Sequence, residues 1–151
     1  MKVSAAYTGF VDEAEPRLRR ALVARFGMQL GRDATMDALV YAWQHWDRVG
    51  EMESPVGYLY RVGCSSVRPR NEPPPLVSVD EGREPWIEPG LEAGLNGLTE
   101  PQRVAVVLRH SFEWSYDEIA ELLDVSVSTV RTHLARGMEK LRNALEVSID
   151  G

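Results

Sequence analysis

The sequence predicts an all-α protein built as two small helical bundles joined by a Pro-rich acidic linker, the C-terminal bundle carrying a helix-turn-helix. Three observations predict it. Apolar residues recur at three- and four-residue steps on both sides of a central break. The break holds Pro69, Pro73, Pro74, Pro75, Pro85 and Pro89 with Gly82 and Gly90, a composition that cannot propagate helix. Near the C-terminus, Ser115 and Ser126 each open a helical stretch, placing two helices in close succession. The predicted organisation is therefore a helical domain over residues 1–68, a linker over 69–92 and a helix-turn-helix domain over 93–151.

In the first domain, Leu18, Leu22 and Phe26 mark one helix, and Met36, Leu39, Val40 and Trp43 mark a second. Pro55 suits the first turn of a third, which carries Tyr58, Leu59 and Val62. Trp43 and Trp46 are expected in the core. Gly63 weakens the third helix, and Pro69 keeps Arg68 out of helical geometry, so this helix is expected to be short.

The linker carries Glu72, Asp80, Glu81, Glu84, Glu88 and Glu92 against Arg70 and Arg83, so it is acidic as well as helix-breaking. Beyond it, Thr99 and Gln102 have the spacing of a capping box, and Val104, Val107 and Leu108 supply the apolar face of the helix it opens. Ser115 and Glu118 repeat the device ahead of Ile119, Leu122 and Leu123. Asp124 and Val125 interrupt, Ser126 offers a fresh cap, and Val127, Val130, Leu134, Met138, Leu141 and Leu145 form one long buried stripe. The unit is expected to be trihelical.

Between the stripe residues of the last helix lie Ser128, Thr129, Arg131, Thr132, His133, Arg136 and Lys140. Hydroxyl, imidazole, guanidinium and ammonium donors near the start of such a helix suit phosphates and base edges, because a recognition helix docks by its apolar stripe and enters the major groove with its first turns. The net charge of −6 hides this asymmetry. From Ser126 to Arg142, Arg131, Arg136, Lys140 and Arg142 stand against Glu139 alone.

These residues carry a resemblance. The run LTEPQRVAVVLRHSFEWSYDEIAELLDVSVSTVRTHLARGMEKLR, from Leu98 to Arg142, resembles the C-terminal promoter-reading domain of small bacterial sigma factors of the extracytoplasmic-function type. More weakly, ALVARFGMQLGRDATMDALVYAWQHWDRV followed by SPVGYLYRVG resembles the N-terminal domain of the same family. The resemblance implies that the first domain grips the polymerase clamp and opens the promoter, that the linker threads through the polymerase, and that the second domain reads the upstream promoter element. It places Asp33 and Asp37 at two acidic clamp-binding positions, with Met36 where glutamine is usual. After Tyr60 the family continues with an asparagine, an aspartate and a run of arginines, whereas this chain reads RVGCSSVRPRNEPPP. Arg61, Ser65 and Arg68 are then the candidates for contact with melted promoter DNA, with Tyr58 and Tyr60 as candidate stacking rings.

The implied partners are promoter DNA, core RNA polymerase and an anti-sigma protein. Two other readings stay open at this level: a sigma-derived DNA-binding regulator without promoter melting, and a sigma mimic that titrates an anti-sigma protein. No apolar run reaches membrane-spanning length and no secretion signal opens the chain, so the expected location is the cytoplasm. His45, His110 and His133 lack a metal spacing, no phosphate-cradling glycine loop or nucleophile motif is present, and Cys64 has no second cysteine to pair with. No enzyme activity, metal or cofactor is expected. The free chain is expected to be a monomer, its two domains folded on each other or on an inhibitor.

Overall fold

The computed structural model describes residues 2–67 and 91–150. Arg68 and the segment from 69 to 90 lie outside the described residues, as do the expectations made for them. Eight helices and no strand occur among the described residues: α1 (Lys2–Phe26), α2 (Met28–Gln44), α3 (Trp46–Val49), α4 (Pro55–Ser66), α5 (Leu91–Asn96), α6 (Glu100–Phe112), α7 (Tyr116–Leu123) and α8 (Val127–Asp150).

In the first bundle, α1 folds straight back onto α2 through a single residue, Gly27, whose φ of 87° is open to glycine at little steric cost. The two helices then approach so closely that a Cβ on Gly31 would lie 2.5 Å from Val23 Cα. Ala34, Ala38, Leu39 and Ala42 form the buried face of α2 against Leu18, Ala21 and Leu22 of α1. This overturns the expectation of a core Trp43, while Leu39 of the same helix is buried. Met36, Val40 and Trp43 are exposed at 63%, 50% and 49%, although one edge of Trp43 meets the Tyr7 ring at 5.0 Å. The small residues take the inside because they alone allow so close a crossing. Trp46 does pack inward, edge-on to Tyr7 at 5.6 Å and against Phe10 at 5.2 Å.

Helix α4 starts at Pro55, as its sequence predicts, and runs through Gly63 without a break. Gly63 is a packing residue here rather than a helix breaker: a Cβ would meet Leu22 Cδ1 at 2.8 Å and the Ala34 carbonyl at 3.2 Å. The helix ends at Ser66, and Val67 turns to extended geometry.

The second bundle has both predicted capping boxes. Thr99 and Gln102 exchange bonds of 3.1 and 3.3 Å at the start of α6, and Ser115 and Glu118 exchange two of 3.1 Å at the start of α7. Asp124 closes α7 in the left-handed region at φ 56°, and Ser126 accepts from the Thr129 amide at 3.1 Å to begin α8. Val130, Leu134 and Leu141 are buried along α8. The unit is not trihelical, since α5 also packs on α8, at Gly94 beside Leu141.

Helix α6 is buried on more than one side. It holds α8 through Val106 and Gly137, where a Cβ on the glycine would meet Val106 Cγ2 at 2.9 Å, and it also packs on α1 of the first bundle. The bundles therefore share one continuous core cluster, from Leu18 and Leu59 to Val104, Leu108 and Ile119.

Candidate nucleic-acid interface

Helix α8 owes its orientation to its own stripe. Val130 and Leu134 anchor the first turns of α8 onto α6 and α7, which leaves the opposite face to solvent. Ser128, Thr132 and Arg136, spaced four residues apart, are exposed along that face. Not every candidate donor is free. Ser126 Oγ lies 2.8 Å from Thr129 Oγ1 and 3.1 Å from Ser128 Oγ, so these hydroxyls form one network at the helix start. Thr132 Oγ1 donates to the Ser128 carbonyl at 3.1 Å. Lys140 Nζ donates to Gln102 Oε1 at 3.1 Å, which ties its ammonium to α6. His133 is half-buried, whereas Arg131 is exposed at the edge of the face, its guanidinium 5.6 Å from the ring centre of Tyr116.

In the first bundle, Asp33, Met36 and Asp37 lie exposed on one side of α2, with Val40 and Trp43 continuing the same face. That surface mixes two carboxylates with an apolar strip. On α4, Arg61 is exposed and Ser65 Oγ donates to the Arg61 carbonyl at 3.0 Å. The two candidate stacking rings have different fates. Tyr60 is only 3% exposed, and burial raises its phenol's pKa, so it is a core residue and not a platform. Tyr58 stays half-buried, 3.0 Å from the Tyr41 hydroxyl, with Arg48 within reach of both rings.

Residues without a reading in the sequence hold the two bundles together. Arg103 of α6, 5% exposed, donates from Nε to the Ala24 carbonyl at 3.1 Å and from Nη2 to the Arg25 carbonyl, closing the C-terminal turn of α1. Arg25 pairs with Glu100 at 2.7 Å and donates to Cys64 Sγ at 3.1 Å. Arg17 pairs with Glu118 at 2.9 Å and lies 4.9 Å from the Trp114 ring centre. One signal was available. A helix reading VAVVL has apolar residues all round, which means burial on several sides and a second neighbour beyond α8.

A helix-turn-helix set in a four-helix unit, packed against a second helical bundle through a shared core, is the architecture of a DNA-binding transcription factor. Residues 91–141 match the family described as Sigma-70, region 4. The chain is 32% identical over 126 residues to the RNA polymerase sigma-E factor of Streptomyces avermitilis, covering 76% of this chain and 70% of that protein. The sigma-E factor of Streptomyces antibioticus is 29% identical over the same extent. Among solved structures, the sigma factor RpoE in complex with the anti-sigma factor NepR from Bartonella quintana shares the fold, with a TM-score of 0.60 at 17% identity, over 93% of this chain and 97% of that one. The chain belongs to the bacterial sigma factors of the extracytoplasmic-function type, the group of the sigma-E factors.

Proposed function

We propose that this protein joins core RNA polymerase and directs promoter-specific transcription initiation, reading the upstream promoter element with α8. The observation that carries the reading is the exposed face of Ser128, Thr132 and Arg136 on a helix whose other side is locked into the bundle. In this reading Arg136 meets a phosphate and sets register, while Ser128, Thr129, Arg131 and Thr132 sample base edges and His133 flanks them. Lys140 spends one of its three N–H donors on Gln102 and keeps two for a phosphate. The polymerase is gripped by the α2 face of Asp33, Met36 and Asp37, where Val40 and Trp43 add apolar contact to the two charges. Arg61 and Ser65 are the proposed contacts to melted DNA among the described residues.

The protein works in the cytoplasm, without catalysis or a cofactor of its own; no described helix is long and apolar enough to cross a membrane. An anti-sigma protein, the kind of partner named for the Bartonella structure, is its proposed regulator. The test is retention of the purified chain on core polymerase, followed by transcription from a promoter library. Initiation from a defined promoter set supports the reading, and failure to bind polymerase overturns it. Arg136→Ala should lower affinity on all sequences and flatten the slope of log affinity against log salt by about one unit, as loss of one phosphate contact requires.

A further inference from the structure

Three elements of the DNA-binding bundle converge on one ring. Tyr116 is the first residue of α7, held in place by the Ser115–Glu118 capping box that brackets it. Arg109 of α6 lies 4.7 Å from its ring centre and Arg131 of α8 lies 5.6 Å from it, both within the reach of a cation–π contact. Arg109 is itself fixed, since its Nη1 donates to the Trp114 carbonyl at 3.0 Å. Among the described residues, neither arginine has a carboxylate within ion-pair distance.

We propose that Tyr116 is a specificity-positioning residue, whose ring, braced by Arg109, presents the Arg131 guanidinium to the base it reads. This rests on the reading of Arg131 as a base contact. The choice of partner matters chemically. A carboxylate holding Arg131 would occupy the paired N–H donors that a guanine O6 and N7 require, whereas an aromatic ring draws on the guanidinium's positive charge and can leave those donors open. The ring also restricts a long side chain before DNA arrives, so less rotamer freedom is lost on binding. Two like charges on one ring repel each other, and the site keeps a positive potential that favours the polyanion over any neutral ligand.

The test uses the full chain assembled with core RNA polymerase, selecting from duplexes randomised across the upstream promoter element, with the bound pool sequenced. Arg131→Ala should reduce base discrimination at one or two positions by about tenfold, the scale of one good base contact. Tyr116→Leu should blur those same positions, Tyr116→Phe should restore them, and Tyr116→Leu should add nothing in the Arg131→Ala background. Wild-type discrimination by Tyr116→Leu, blurring at other positions, or additive loss in the double variant would each overturn the proposal. No loss of discrimination in Arg131→Ala would instead remove the base-reading role beneath it, so the two failures are distinct. Should Tyr116→Leu fail to fold, Arg109→Gln carries the test, because it removes the brace and keeps the ring. Partial blurring at the Arg131 positions supports the proposal, and an unchanged selection profile overturns it.

Discussion

Replacing Arg103 with methionine should destabilise the whole molecule more than any single surface ion pair could. Methionine keeps an unbranched apolar stem but removes the guanidinium, leaving the Ala24 and Arg25 carbonyls without its two hydrogen bonds at the end of α1. Helix-end carbonyls have no partner within their own helix, and an unsatisfied buried acceptor costs about 1–3 kcal/mol. Loss of the cation at the negative end of the α1 dipole adds up to about 1 kcal/mol. Against this, the substitution relieves the desolvation of a buried cation, the same burial that lowers the pKa of Arg103. The net expectation is a loss of about 2–3 kcal/mol. With a urea m-value of about 2 kcal/mol/M, the unfolding midpoint should fall by about 1–1.5 M, followed by far-UV circular dichroism and tryptophan fluorescence. Arg19→Met is the control. It breaks only the exposed pair with Glu15 at 3.3 Å, a contribution of about 0.3–0.5 kcal/mol. If Arg103→Met moved the midpoint no further than Arg19→Met, the claim that Arg103 joins the bundles would be wrong.

Gly31→Ala should lower stability by at least about 1–3 kcal/mol, because its Cβ would press on the Val23 backbone and the α1–α2 crossing must open; an unchanged Tm would refute the crossing. The Glu118 carboxyl is held below its ordinary value of 4.5, chiefly by the Ser115 backbone N–H and further by Arg17. A carboxyl depressed in the folded state contributes stability above its unfolded pKa and loses it as pH falls through the folded one. Wild type and Glu118→Gln should therefore differ in urea midpoint near neutral pH and converge in acid, whereas a gap independent of pH would exclude the ionised form as the cause. Burial pushes the Cys64 thiol up despite the nearby Arg25 guanidinium. Alkylation by iodoacetamide at pH 8 should be at least about tenfold slower in the native protein than in urea, since only the thiolate reacts; equal rates would mean that α4 is open to solvent at Cys64.

Helix type, caps and the exposed polar face of α8 were legible because each is encoded within a few neighbouring residues. Both capping boxes need only partners three residues apart, and the Val130, Leu134 and Leu141 stripe needs only the helical period. The first bundle was legible in outline and wrong in facing. Met36, Val40 and Trp43 have the right period for a core, yet Ala34, Ala38 and Ala42 have it too, and periodicity alone does not tell which stripe turns inward. Gly63 shows the same limit, for a glycine that weakens an isolated helix is the residue that lets α4 reach Leu22.

The sequence by itself determined what depends on short range: helices in both described parts of the chain, and a C-terminal helix with donors on one side and hydrocarbon on the other. The tertiary structure decided what depends on which surfaces meet. It turned the alanine face of α2 inward with Leu39 and left Met36, Val40 and Trp43 exposed. It took Arg103 out of solvent to close a helix 78 residues away in the chain, and it brought Arg109 and Arg131 onto Tyr116. The physical reason is common to all of these. A cap or a period is satisfied by neighbours in sequence, whereas a helix crossing or a buried guanidinium is defined only when a distant backbone supplies the opposing surface.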